Sequence, residues 1–176
     1  DPQNPFALTP AEEEVMCRLE AAFTGCEKLQ RHMHFFLEAG SLYKICNGNL
    51  MFHACVPLNA DGSLKEVNVF GTPYKGRALY DGMERYVRAA FYSHDADERR
   101  RGRDLLWYLW LGEGSPLFAK SKMATFELYL IADKAARKEV KNPFYTLIDE
   151  EQVIAGIFRD FGMDPETSHI VCGHVP

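Results

Sequence analysis

Asn47-Gly48 stands between two short apolar runs, Leu42-Tyr43-Lys44-Ile45 and Leu50-Met51-Phe52. A two-residue hairpin turn needs positive φ at its central positions, which Asn and Gly tolerate best, so this dipeptide predicts a β-hairpin within residues 41–56. The turn also sets strand register, and with it which side chains face a core. Helical patterns flank the hairpin. Thr9-Pro10 before Ala11-Glu12-Glu13-Glu14 reads as an N-cap, a proline at the first helical position and acids in the first turn. Val15, Leu19, Ala22, Phe23, Leu29, Phe36 and Leu37 continue an apolar stripe, with a break at Gly25 and a stop near Gly40. After a turn at Asn59-Ala60-Asp61-Gly62-Ser63, the pattern predicts a polar strand over 64–70 and helices over 75–90 and 97–110. A loop over 111–122, a half-buried strand over 124–131, a helix over 149–161 ended by Gly162 and a closing strand before Gly173-His174 complete the chain. The expected class is α+β, helices packed on short strands, and residues 1–176 read as a single domain.

With 176 residues and 47% hydrophobic content, the chain can bury one sizeable core. A net charge of −5 and a pI near 5.7 argue against a sequence-independent grip on nucleic acid, which needs a basic surface to displace counterions. No apolar run is long enough to span a bilayer, so no membrane partner is expected. The five cysteines form no Cys-x-x-Cys pair, which argues against a secreted disulfide framework. The N-terminal stretch is acidic rather than basic and then apolar, and a cytoplasmic location is expected.

Two histidines end strand-like runs, in Phe52-His53-Ala54-Cys55-Val56 and in Ile170-Val171-Cys172-Gly173-His174. From the residues alone, a neutral, hydrogen-bonded core histidine is the commoner reading of each, and a metal ligand the alternative. His53-x-Cys55 and Cys172-x-His174 also place both side chains on one face of a strand, a set of two cysteines and two histidines suited to structural zinc; such sites usually use wider Cys spacing. Lys120 and Lys122 lie in a Gly- and Pro-rich loop. Compact ammonium groups there suit a phosphate, and the plain alternative is a solvated loop. Arg99-Arg100-Arg101-Gly102-Arg103 follows Asp95, Asp97 and Glu98 and reads as a helix surface with local charge pairing. His32 and His34, two apart on a helix, point in different directions. Leu105, Leu106, Tyr108 and Leu109 with Trp107 and Trp110 read as core packing.

Phe52-His53-Ala54, the run Ser115-Pro116-Leu117-Phe118-Ala119-Lys120, and Cys172-Gly173-His174-Val175-Pro176 together resemble the class III fructose-1,6-bisphosphatases of bacteria, a branch of the calcineurin-like metallophosphoesterases. Residues 50–58, 107–122, 141–145 and 169–176 carry the resemblance most clearly. In that family the loop segment commonly has a Cys and Gly-Pro before Ser-Pro-Leu-Phe-Gly-Lys; Leu111 and Glu113 depart from this wording. The resemblance implies part of a metallophosphoesterase α/β sandwich, Mn²⁺ as cofactor and a sugar bisphosphate as substrate. It implies hydrolysis of the 1-phosphate of fructose 1,6-bisphosphate to fructose 6-phosphate in gluconeogenesis, by a metal-activated hydroxide. His53 and His174 match its metal-ligand positions, and Lys120 and Lys122, with Arg31 next, are the candidate substrate contacts. The family motifs Asp-x-His, Gly-Asp-x-x-Asp and Gly-Asn-His-Glu are absent, so no catalytic residue is assigned. The chain resembles a central portion of a longer enzyme, expected to be inactive alone and to self-associate as a homo-oligomer through the apolar face that excision exposes. The alternatives are a non-catalytic helical regulatory or oligomerisation module, and a metal-independent phosphosugar-binding protein.

Overall fold

The structure is a computed structural model that describes residues 3–4 and 6–174. They fall into two compact units, Asp1–Ser41 and Leu42–Pro176. In the first, α1 (Pro10–Thr24) begins with the expected cap: the Thr9 hydroxyl accepts from the Glu12 N–H at 3.4 Å and the Glu12 carboxylate accepts from the Thr9 N–H at 2.7 Å. The break at Gly25 is real, and α2 (Glu27–Ala39) follows it. The apolar stripe of α1 is largely uncovered, with Val15, Leu19 and Phe23 all exposed and no residue of the helix buried.

The second unit starts with the hairpin. β1 (Tyr43–Cys46) and β2 (Asn49–Phe52) pair antiparallel from Tyr43↔Phe52 to Cys46↔Asn49. Asn47 and Gly48 take φ of 51° and 74°, the left-handed pair this turn demands. Leu50 and Phe52 turn into the core. β3 (Val67–Val69) and β4 (Thr72–Tyr74) form a second, separate hairpin, where a single polar strand was expected.

Two long helices follow, α3 (Gly76–Tyr92) and α4 (Ala96–Leu111). They cross closely at Gly102, where a Cβ would lie 2.5 Å from the Tyr86 carbonyl oxygen and 2.6 Å from the Ala90 nitrogen. The arginine run is thus a surface interrupted by one buried glycine that lets the two backbones approach. Leu105 and Leu109 join Val67, Val69, Leu79 and Met83 in a core. Trp107 and Trp110 do not, contrary to the expectation of core packing: each is 61% exposed, and the rings meet edge to face at 5.2 Å. The i, i+4 pair Leu105 and Leu109 takes the buried face, so the i, i+3 tryptophan pair is left on another.

The expected strand over 124–131 is instead a short helix, α5 (Thr125–Leu130). Leu128 N–H bonds to the Ala124 carbonyl at 3.0 Å and Ile131 N–H to that of Glu127 at 3.1 Å, so the segment satisfies its backbone locally. Its alternating apolar residues bury no face: Phe126, Leu128, Tyr129 and Leu130 are all exposed. α6 (Phe144–Leu147) and α7 (Glu151–Asp160) then pack against β2 and α3. β5 (His169–Val171) returns to pair parallel with β2, giving the order β1-β2-β5. The main core gathers Leu50, Phe52, Tyr80, Phe144, Ile157 and Phe161, and the buried Tyr80 hydroxyl donates to the Cys55 carbonyl at 2.8 Å. The fold is α+β, helices on short strands, as the pattern implied. Among the described residues, no helix is long and apolar enough to cross a membrane.

Candidate functional site

Parallel pairing brings the carboxyl ends of β2 and β5 to the same edge of the sheet. His53 follows the last residue of β2, and Cys172-Gly173-His174 follows the last of β5. A backbone bond from Gly173 N–H to the His53 carbonyl, at 3.0 Å, ties the two segments together beyond the strands. His174 has φ of 71°, a left-handed conformation that is costly for a side chain of this size and is held here at the mouth of the site. The outcome is contact: His53 Nε2 lies 2.9 Å from His174 Nδ1, with ring centroids 4.5 Å apart. Two residues 121 positions apart in sequence therefore present ring nitrogens to one point.

That spacing fits two ligands of one metal ion. Nitrogens about 2.1 Å from a shared ion and at right angles to each other are about 3.0 Å apart. The pair alone would be only part of a shell, since among the described residues no group of three or more His, Cys, Asp or Glu could hold a metal. The zinc set of two cysteines and two histidines does not form. β2 ends at Phe52, so the period-2 alternation that would align His53 with Cys55 is broken. Cys55 is instead fully buried, and burial, with Cys172 adding to it, pushes its thiol up to about 12. It is a small hydrophobe of the core.

Partial burial, then the neighbouring His53 and Lys120, holds His174 below the ordinary histidine value of 6.5, while the Phe118 carbonyl works the other way. The ring is thus in its neutral, ligand-competent form at neutral pH and somewhat below. The NMR titration of the His174 ring should show a midpoint under 6.5, and His53→Ala should move that midpoint upward by removing a neighbour that lowers it. A midpoint that ignores His53 would mean the two rings do not meet in solution.

The loop over 111–122 delivers Lys120 to this place. Ser115 anchors it, with a buried hydroxyl that donates to the Leu109 carbonyl at 2.7 Å and accepts from Leu117 N–H at 3.1 Å. Ala119, buried with φ of 57°, makes the sharp bend between Phe118 and Lys120. The bend is pinned by Asn142 N–H to the Ala119 carbonyl and by Ser121 N–H to the Val140 carbonyl, both 2.9 Å. Although the loop carries no acid at 115–122, tertiary folding supplies one: Lys120 Nζ pairs with Glu139 at 2.8 Å, both side chains about 70% covered. Glu139 sits below the ordinary carboxylate range because the Ala124 N–H, and then Lys120, bond to it. Lys122 donates to the Ala136 carbonyl. Arg31 is exposed on α2, in the first unit. Lys65 and Lys141, which line a cleft with Lys120, were not among the expected site residues, although Lys141 opens the 141–145 stretch singled out in the sequence.

The chain belongs to the Firmicute fructose-1,6-bisphosphatases, whose pattern matches residues 1–176. Among its relatives is a protein named fructose-1,6-bisphosphatase class 3 from Clostridium tetani (strain Massachusetts / E88), 46% identical over 177 residues. Proteins of the same name from Fusobacterium nucleatum subsp. nucleatum and Finegoldia magna are each 45% identical over 177 residues. Each comparison covers 100% of this chain and 27% of the relative, so the chain spans about a quarter of their length. No solved structure matches.

Proposed function

We propose that this chain is part of an enzyme that hydrolyses the 1-phosphate of fructose 1,6-bisphosphate to fructose 6-phosphate, a step of gluconeogenesis in the cytoplasm. The observation that carries the reading is the 2.9 Å approach of His53 Nε2 to His174 Nδ1. The two imidazoles are ligands of a Mn²⁺ centre whose remaining ligands lie outside residues 1–176. Mn²⁺ held there would supply Lewis-acid stabilisation of the phosphoryl oxygens and lower the pKa of a water. The chain's own part is positional. The Gly173–His53 backbone bond and the bend at Ala119 hold both rings and Lys120 in place before substrate arrives. Lys120 exchanges its Glu139 partner for a substrate phosphate, with Lys122 as a further contact. The exposed apolar surface of α5 is consistent with burial against other parts of the enzyme or in a homo-oligomer.

A second reading, a non-catalytic helical regulatory or oligomerisation module, is favoured by one observation: the described residues contain no three-ligand cluster. A phosphate-release assay separates the two. The 176-residue chain with Mn²⁺ should release no phosphate from fructose 1,6-bisphosphate, while a protein of the relatives' length containing it should release one phosphate per sugar and leave fructose 6-phosphate. Turnover by the short chain would refute the incomplete-site argument. A long protein that is inert with Mn²⁺ would favour the module.

A further inference from the structure

Beside the histidine pair lies a cleft of about 120 Å³, room for several waters or one phosphate group. Lys65, Lys120 and Lys141 line it together with Ser121, Asn142 and Glu113. The neutral groups are already oriented by the fold. Ser121 Oγ accepts from Val140 N–H at 3.0 Å, which leaves its hydroxyl hydrogen to donate. Asn142 Oδ1 accepts from Leu58 N–H at 3.1 Å and Phe144 N–H at 3.0 Å, which leaves the amide NH₂ as the free end. Three lysines, a hydroxyl hydrogen and an amide NH₂ are thus on the lining residues, the Lys120 ammonium being paired with Glu139. Against them stands one lining carboxylate, the exposed Glu113, with Glu139 paired to Lys120 from outside the cleft. Such a lining suits a compact anion.

The position of the cleft narrows the ligand. Lys120 links the two places: it lines the cleft, and its loop is bonded just past His53, where the Cys55 N–H donates to the Pro116 carbonyl at 3.1 Å. The cleft and the histidine pair are therefore neighbours on one loop. We infer that the cleft anchors the phosphate monoester that is not hydrolysed, the second phosphate of a sugar bisphosphate whose first lies at the histidines. This rests on the proposed function for its substrate, but the cleft itself needs no metal. Anchoring a remote phosphate is how binding energy far from the reacting bond is used to position that bond.

The test is equilibrium binding to the full chain without Mn²⁺, so that failure of the metal reading leaves its outcome untouched. Fructose 6-phosphate, inorganic phosphate and fructose are titrated separately by calorimetry. Fructose 6-phosphate should bind more tightly than inorganic phosphate, and fructose not at all. Lys65→Ala with Lys141→Ala should weaken fructose 6-phosphate binding by at least about tenfold, since each removes a charge-assisted contact. Glu113→Gln, which removes the lining carboxylate, should tighten it, and provides a reading in the opposite direction if the lysine variant fails to fold by circular dichroism. Equal affinity for the sugar phosphate and inorganic phosphate would make this a free-phosphate site and overturn the anchoring role. Unchanged affinity in both variants, or no binding of either phosphate at millimolar concentration, would overturn the site.

Discussion

His53→Ala and His174→Ala should each cost at least about a hundredfold in the Mn²⁺-dependent phosphate release proposed for a protein of the relatives' length. Groups that merely orient metal ligands already cost ten- to a hundredfold, and these two are argued to be ligands themselves. The double variant should lose little more than either single one, because two ligands of one centre act as a unit. Both rings are exposed at the sheet's edge, so circular dichroism and the unfolding midpoint should barely move. The measurement is the specificity constant across a Mn²⁺ titration. Activity within about twofold of the parent in either variant would remove the metal-centre reading, because a lost ligand is not replaced at that cost.

Phe144→Ala destabilises residues 42–176 by about 3–5 kcal/mol, the usual range for removing a buried aromatic ring and leaving a cavity. Phe144 is 0% exposed and meets Phe52 edge to face at 5.8 Å and Tyr145 at 5.4 Å. Phe52 immediately precedes His53, so the same cavity loosens the footing of the site. Urea unfolding followed by fluorescence measures the loss as a lower midpoint at unchanged slope. Phe126→Ala is the matched control. Its ring is 76% exposed on α5, and its loss should change stability by no more than about 0.5 kcal/mol in the isolated chain. A large effect at Phe126 would show that α5 is covered in solution.

The parts of this fold legible beforehand are those decided within a few residues. Asn47-Gly48 demanded left-handed backbone at two positions, and no distant contact competes with that demand. Thr9 and Glu12 cap α1 through bonds spanning three residues, and Gly25 breaks the helix where it stands. α5 went the other way for a reason equally local in origin. Phe126-Glu127-Leu128-Tyr129-Leu130 alternates like a strand, yet a strand needs a neighbour for its N–H and C=O groups, and a short segment without one bonds to itself. The tryptophans of α4 show the same limit: their size suggested core, and only the identity of the packed face decided otherwise.

The sequence by itself determined the turns, the caps, the α+β class and, through family wording, the two histidines worth watching. Tertiary structure alone decided that those histidines meet, because contact across 121 residues depends on β5 choosing β2 as its parallel partner. It also decided that Lys120 has Glu139 for a partner and shares a cleft with Lys65 and Lys141. Local structure follows from backbone sterics and bonds a few residues long, which a sequence displays. A site is a set of side chains that chain folding brings together from afar, and the spacing between them in sequence carries no trace of the distance between them in space.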